Sequence, residues 1–220
     1  MVNREERRAA EAQRLTSWAL PQDEPSTYEG YEQRFRYDDG TGLFKLPGVL
    51  LFVKFLIDVS HQTSVNEFQV FPACLVSISV DIIEHLAEDH MLASDAVELF
   101  LAVGKELVQR TRRADKAGRT DRTFVVLLTR TMARSARDHY VPRMAELLHA
   151  AAKKHGVETT FSFGIASLTE HLVTDPDDML AKSQRALEAA QEGVELAVER
   201  GPARVATYDF RSMPIEKKAD

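Results

Sequence analysis

Segments of helical and strand character alternate along most of this chain, and that alternation limits the possible folds more than any other feature. The strand-like segments are short, apolar and rich in β-branched residues, whereas the helical ones repeat apolar residues every three or four positions. The helical segments cover 46–59, 94–109, 133–155 and 178–200, and the strands cover 71–83, 123–128, 157–166 and 204–208. This order predicts a central mixed sheet with helices packed on its faces.

The two ends of the chain differ in composition from this central part. Residues 4–19 have a charged, helical composition that ends at Pro21, and the stretch 23–27 is typical of a linker. Residues 212–220 are polar and typical of a loose tail. We therefore predict an N-terminal helix and linker over 1–27, one domain over 28–211, and a flexible tail over 212–220.

Charge and cysteine content exclude several classes of protein. The net charge of −6 argues against general nucleic-acid binding. The charged N-terminus lacks the apolar core of a signal peptide, and the apolar run 46–57 is too short to span a bilayer. A single cysteine, Cys74, excludes an intramolecular disulfide, and its apolar neighbours predict a buried, unreactive thiol. These features predict a cytoplasmic protein with neither a membrane nor a nucleic-acid partner.

Positive charge is concentrated between Arg110 and Arg143. This stretch holds ten Lys or Arg and three acids, a local excess of +7 within an acidic protein. Such an excess indicates either a site for a small anion or a solvated basic face, and charge does not decide between them.

Six segments, in the same order along the chain, resemble the GGDEF domains of diguanylate cyclases. They are Asp38–Leu43, Leu75–Asp81, Arg112–Asp115, Arg119–Leu128, Thr160–Ala166 and Ala197–Val205, and the resemblance covers residues 36–210. It implies an α/β (α+β) fold of the nucleotidyl-cyclase kind, in which helices flank a central, mostly antiparallel sheet. Here that domain would carry an N-terminal helical extension.

The sequence departs from the family at the turn that gives the family its name. Thr120, Asp121, Arg122 and Thr123 stand in this turn, which is one residue shorter than in the family and lacks both glycines. In active members those glycines admit the guanine nucleotide, and an acid of the turn helps to hold the metal that phosphoryl transfer needs. On the first core strand, Ser79 or Val80 replaces a metal-binding aspartate, which leaves Asp81 as the remaining carboxylate. We therefore expect a degenerate active-site loop with no catalytic residue, no bound metal, no cofactor and no enzyme activity.

Arg112 and Asp115 match R-x-x-D, the inhibitory-site motif of the family. The resemblance implies a site for cyclic di-GMP, a bacterial second messenger. An arginine offers a planar fork of donors for a phosphate or a guanine edge, and an aspartate can accept from the guanine N1 and N2 donors. In the family a further arginine of the following helix, often from a partner protomer, helps to bind the ligand, and Arg143 lies near that position. The alternative interpretation of Arg112 and Asp115 is a surface ion pair of little energetic value.

Two functions remain open at this level. The first is a catalytically inactive cyclic di-GMP receptor or effector that signals through contacts with an unknown protein partner or as a homodimer. The second is a ligand-independent interaction module that has kept the fold and no nucleotide binding. A calorimetric titration with cyclic di-GMP would separate them.

Overall fold

The computed structural model describes residues 38, 40–64, 72–81, 93–120, 122–170, 173, 175–192, 198–199 and 202–208. The predicted N-terminal helix, the predicted tail and the predicted domain boundaries lie outside these residues, and they stay predictions.

The described residues form a seven-stranded sheet. Its strands are β1 (Phe44–Lys45), β2 (Ala73–Val80), β3 (Lys116–Arg119), β4 (Phe124–Thr129), β5 (Phe161–Ser167), β6 (Val198–Glu199) and β7 (Ala203–Thr207). They lie in the order β1-β3-β4-β2-β5-β7-β6. The pairs β1–β3 and β5–β7 are parallel and the other four are antiparallel, which confirms the predicted mostly antiparallel sheet.

Helices lie on both faces of this sheet. They are α1 (Leu46–Ser64), α2 (Ala93–Arg110), the single turn α3 (Ala133–Ser135), α4 (Val141–Lys154) and α5 (Pro176–Gln191), with a π-helical turn at Ala136–Tyr140 between α3 and α4. Helix α5 begins where the Asp175 carboxylate accepts a hydrogen bond from the Asp178 N–H at 2.8 Å, with Pro176 in the first turn. Beyond α4, Gly156 adopts the left-handed conformation (φ 74°), and the helix ends close to the boundary predicted at residue 155.

The sheet separates two apolar clusters, and β2 contributes to both. Ile78 and Val80 belong to the cluster under α2 and α4, whereas Leu75 belongs to the cluster under α1 and α5. Every side chain of β2 is buried, because this strand lies near the middle of the sheet with helices on both faces. Burial on both faces explains why the sequence of β2 is an almost continuous apolar run.

Helix α5 packs directly on β5 because Gly164 has no side chain. A Cβ at this position would lie 2.1 Å from the Leu187 nitrogen and 2.1 Å from the Ser183 carbonyl oxygen. Beside this contact the hydroxyls of Ser77 on β2 and Ser183 on α5 are hydrogen bonded at 2.9 Å. The close approach fixes how α5 lies across the sheet.

Three sequence predictions about the elements need correction. The final helix, predicted to run to residue 200, ends at Gln191, and Val198–Glu199 is instead strand β6, paired with β7. Tertiary pairing with β7 here outweighs the helical propensity of the segment.

Strand β3 was not predicted as a separate strand, because Lys-Ala-Gly-Arg has neither alternation nor β-branched residues. The helix predicted over 133–155 is divided by a π-helical turn that ends at Tyr140, and Pro142 lies in the first turn of α4, where no N–H partner is required.

Cys74 is fully buried on β2, as predicted. Its Sγ donates to the Thr131 carbonyl oxygen at 3.0 Å. Burial, reinforced by the charge of Glu170, raises the pKa of the thiol to about 12. The thiolate form, which is the reactive one, is therefore negligible near neutral pH.

Among the described residues, no helix has both the length and the apolar composition needed to cross a bilayer.

Candidate functional site: the two ends of the β3–β4 hairpin

Strands β3 and β4 form a hairpin whose two ends carry most of the predicted site residues. The strands pair from Lys116 opposite Leu127 to Arg119 opposite Phe124. One end, here called the turn end, consists of Thr120–Thr123. The other, here called the open end, consists of Arg112–Asp115 before β3 and Thr129 at the close of β4. The two groups of residues singled out in the sequence therefore lie at opposite ends of one hairpin.

Asp115 is held in place at the open end by Thr129. It is 7% exposed, and its Oδ1 accepts from the Thr129 N–H at 2.8 Å and from the Thr129 hydroxyl at 3.0 Å. Its own N–H donates to the Arg112 carbonyl oxygen at 3.0 Å, which forms a tight turn after α2. The second carboxylate oxygen, Oδ2, has no hydrogen-bond partner in the described part of the chain. Asp115 thus has a fixed orientation and spare acceptor capacity.

Arg112 is exposed, and its guanidinium forms neither an ion pair nor a hydrogen bond with any described residue. The surface ion pair with Asp115, which was the alternative interpretation of this motif, is not formed in this part of the chain. The donors of Arg112 and one acceptor of Asp115 are therefore both available on the same short turn.

Sequence reasoning missed Tyr140, on whose hydroxyl the charges of Asp115 and Arg112 at the open end act. It is the last residue of the π-helical turn, its ring packs against the cluster under α2 and α4, and its hydroxyl is buried. That hydroxyl has no hydrogen-bond partner among the described residues. Burial raises the pKa of Tyr140 above its ordinary value; the charge of Asp115 adds to this rise and the charge of Arg112 opposes it. A lone tyrosine in a helical segment gives no sequence signal, because its position depends on the π-helical turn.

Arg143 is exposed in the first turn of α4, three residues after Tyr140. Within the described residues no hydrogen bond or ion pair joins Arg143 to Arg112 or Asp115. The structure therefore brings Arg112 and Asp115 together on one turn and leaves Arg143 on the neighbouring helix. Its neighbours Arg134 and Arg137 both contact Asp138, at 3.6 and 3.1 Å.

Thr120 and Thr123 hydrogen bond the backbone of the turn end. The Thr120 N–H donates to the Thr123 carbonyl oxygen at 2.8 Å. The Thr120 hydroxyl accepts from the N–H groups of Arg122 at 3.3 Å and Thr123 at 2.9 Å, and it lies 2.9 Å from the Thr123 hydroxyl. Asp121, the fourth residue of the predicted degenerate loop, lies outside the described residues. A threonine side chain thus closes this turn.

An ion pair ties the turn end to the segment before β1. Arg119 Nη2 lies 3.0 Å from Asp38 Oδ1, while Asp38 Oδ2 accepts from the Thr41 N–H at 3.0 Å and the Thr41 hydroxyl at 2.7 Å. Partial burial raises the pKa of Asp38, but the hydrogen bonds from Thr41 and the charge of Arg119 outweigh it, so the pKa lies below its ordinary value. Thr41 can lie against α2 because Gly104 has no side chain. A Cβ at Gly104 would come within 2.6 Å of Thr41.

A second polar group lies at the end of β2. Asp81 accepts from the Thr160 hydroxyl at 2.5 Å, whereas its Oδ1 is buried with no partner among the described residues. Ser79 pairs with Ser162 across β2 and β5, and both hydroxyls are buried and unpartnered in the same part of the chain. No group of three or more His, Cys, Asp or Glu in the described ranges is arranged to hold a metal. Asp81 therefore remains as a carboxylate at this end of the sheet.

Comparison with known proteins identifies the fold. Residues 93–195 match the family model of the diguanylate cyclase GGDEF domain. The GGDEF domain of TpbB (or YfiN) from Pseudomonas aeruginosa is 18% identical and has a TM-score of 0.57, with 76% of this chain and 98% of that chain covered. The active GGEEF domain of a diguanylate cyclase from Vibrio cholerae is 16% identical and has a TM-score of 0.56, with 75% and 97% covered. The GGDEF domain of DgcB from Caulobacter crescentus, solved in complex with c-di-GMP, is 14% identical and has a TM-score of 0.56, with 71% and 88% covered. No curated protein matches the sequence significantly.

The resemblance to GGDEF domains drawn from its six segments is therefore confirmed. Its sheet and helices are those of the diguanylate cyclase fold, as predicted.

The prediction that the chain is not an enzyme is wrong. The matching family model is that of diguanylate cyclases, and the similar structures include an active domain. The prediction gave the turn at Thr120–Thr123 and the end of the first core strand more weight than the rest of the domain. The altered turn at Thr120–Thr123 is no ground for excluding catalysis.

Proposed function

We propose that this chain binds cyclic di-GMP at the open end of the hairpin, through Arg112 and Asp115, and acts as an effector by changing its contacts with a partner protein. The observation that carries the proposal is the state of Asp115. Thr129 holds one of its oxygens, and the other has no hydrogen-bond partner among the described residues. A carboxylate held in place through one oxygen, with the other unbonded, beside an exposed arginine, suits a ligand that both donates hydrogen bonds and carries negative charge.

Cyclic di-GMP has both properties. Its guanine N1 and N2 groups donate, which suits Asp115, and its two phosphates carry charge, which suits Arg112. The local excess of basic residues between Arg110 and Arg143 favours an anionic ligand in a chain whose net charge is −6. The DgcB domain, which shares this fold, has been solved in complex with c-di-GMP.

Arg143 completes the proposed site only when a second ligand molecule or a second protomer is present. It is exposed on α4 and has no contact with Arg112 or Asp115 within the described residues. An exposed arginine on the neighbouring helix suits a bridging contact, so Arg143→Ala should weaken binding only where the ligand spans two faces.

Isothermal titration of the purified chain with cyclic di-GMP tests this proposal. We expect micromolar binding in the wild type, and Arg112→Ala should weaken it at least about tenfold, since one charge-assisted hydrogen bond is worth about 1.5–3 kcal/mol. Arg122→Ala is the matched control, because it removes the same charge at the turn end. Absence of binding in the wild type would favour the alternative, a ligand-independent interaction module that has kept the fold and no nucleotide binding. Full affinity in Arg112→Ala would place the ligand elsewhere.

A further inference from the structure

The buried hydroxyl of Tyr140 is the most informative feature of the open end that the proposed function leaves unused. Buried tyrosine hydroxyls are normally hydrogen bonded, because an unsatisfied polar group in the interior costs free energy. The Tyr140 hydroxyl is buried and lacks a partner among the described residues, although its ring packs well against the cluster under α2 and α4. Packing against this cluster accounts for the position of the Tyr140 ring but not for the burial of a hydroxyl without a partner among the described residues.

The local backbone gives a second, independent observation. Tyr140 closes the π-helical turn Ala136–Tyr140, which separates α3 from α4. A π-helical turn adds one residue to a helical turn, is intrinsically poor in energy, and occurs often at functional sites. Here it sets the direction of Tyr140 and of everything that follows it in α4.

The electrostatic surroundings connect Tyr140 with the proposed ligand site. The charged groups that act on its hydroxyl are Asp115 and Arg112, which are the two residues of the proposed ligand site. Because burial and Asp115 raise the pKa of Tyr140, its hydroxyl stays protonated at neutral pH and can donate a hydrogen bond.

We propose that Tyr140 is a third ligand-binding residue of the open end, whose hydroxyl donates a hydrogen bond to a phosphate oxygen of the bound cyclic dinucleotide. This inference rests on the proposed function and adds a residue to the same site. A phosphate oxygen is the partner that suits a neutral donor next to the cation Arg112. Because the hydroxyl is covered in the free protein, binding requires neighbouring side chains to rotate, and exposed side chains such as Arg112 change rotamer within nanoseconds.

Tyr140→Phe tests the inference, because it removes the hydroxyl and keeps the ring. In calorimetric titrations with cyclic di-GMP we expect affinity at least about fivefold weaker than in the wild type, in line with the loss of one charge-assisted hydrogen bond. The melting temperature should stay the same or rise, since no hydrogen bond within the described protein is lost. A hydroxyl with a purely structural role would give the opposite sign in the melt.

Tyr208→Phe serves as the control. Tyr208 lies beside Lys182 of α5, on the other side of the sheet, and its replacement should leave ligand affinity unchanged. Wild-type affinity in Tyr140→Phe, while Arg112→Ala loses binding, would overturn the role of Tyr140 and leave the proposed function standing. A wild-type chain that does not bind would overturn both. A lower melting temperature in Tyr140→Phe would also count against the inference, since it would show that the hydroxyl stabilises the fold.

Discussion

The two ends of the β3–β4 hairpin each carry an exposed arginine but differ in how their hydroxyl and carboxylate groups are bonded. At the turn end, the Thr120 hydroxyl accepts from two backbone N–H groups, and the turn closes on itself. At the open end, Asp115 has one oxygen bonded to Thr129 and one unbonded, Arg112 is unpaired, and the Tyr140 hydroxyl is buried without a partner, all within the described residues. A closed network indicates a structural role, whereas buried groups with spare capacity indicate a place for a ligand.

This difference also separates two kinds of sequence signal. At the turn end, the signal is that residues expected from the family are missing, and that absence led to the wrong conclusion about enzyme activity. At the open end, the signal is that residues expected from the family are present, and the structure shows them with unused donors and acceptors. Residues that are present can be examined by their contacts, whereas a missing residue supports a conclusion only if no other group takes its place.

Replacement of Asp115 should have the largest effect, because this residue has both a structural and a ligand-binding role. Asp115→Ala removes the acceptor for two Thr129 donors, so we expect a loss of about 1–3 kcal/mol in the free energy of unfolding, as well as loss of cyclic di-GMP binding. Urea denaturation and calorimetry measure the two effects. Arg112→Ala is the contrasting variant, since it should lose binding with unchanged stability. Equal stability of the two variants would show that the bonds to Thr129 contribute nothing.

Thr120→Val should lower the stability of the fold through the turn end and leave ligand binding at the open end unchanged. It removes the acceptor for the N–H groups of Arg122 and Thr123, and we expect a cost of about 1 kcal/mol in urea denaturation. Affinity for cyclic di-GMP should not change. Thr120→Ser keeps the hydroxyl and is the control, so it should behave like the wild type. A change in ligand affinity in Thr120→Val would show that the two ends are coupled.

Acid should weaken the link between the hairpin and the segment before β1. The pKa of Asp38 is lower in the folded chain than in the unfolded chain, so its contribution to stability is present above the unfolded value near pH 4 and is lost as the pH falls through the folded value. Asp38→Asn should therefore flatten the pH dependence of stability below about pH 4. Asp58→Asn, which removes the carboxylate of an exposed ion pair with Lys54, is the control and should leave the profile unchanged.

Removal of a positive charge outside the site should have the smallest effect. The side chain of Arg134 is 87% exposed and lies 3.6 Å from Asp138, so Arg134→Ala should change stability by less than about 0.5 kcal/mol. Its effect on cyclic di-GMP affinity should stay below about twofold, because exposed charges act weakly at a distance. A tenfold loss would mean that the general positive field, and not the open end, determines binding.

The parts of the fold that could be predicted are those in which local pattern and tertiary environment agree. Strands β2 and β4 were found because both are buried on two faces and therefore consist of apolar runs. Strand β3 and the short β6 owe their conformation to neighbouring strands, and their own residues give no such signal. The site shows the same division. Arg112 and Asp115 could be predicted from their spacing in the sequence. Thr129 could not, because its position depends on the hairpin register, and neither could Tyr140, because its position depends on the π-helical turn.

The order of strands in the sheet has a consequence for behaviour at high concentration. Both outermost strands, β1 and β6, are two residues long, and the longer strands β2, β4 and β5 all lie inside the sheet. Long exposed edges offer unpaired N–H and C=O groups to which a strand from another molecule can add, and this is a common start of aggregation. An edge of two residues offers too few such groups to hold an incoming strand. Next to β1, the part of β3 that extends past it carries Lys116, a charge of the kind that discourages strand addition. The described sheet is thus built to resist edge-to-edge association.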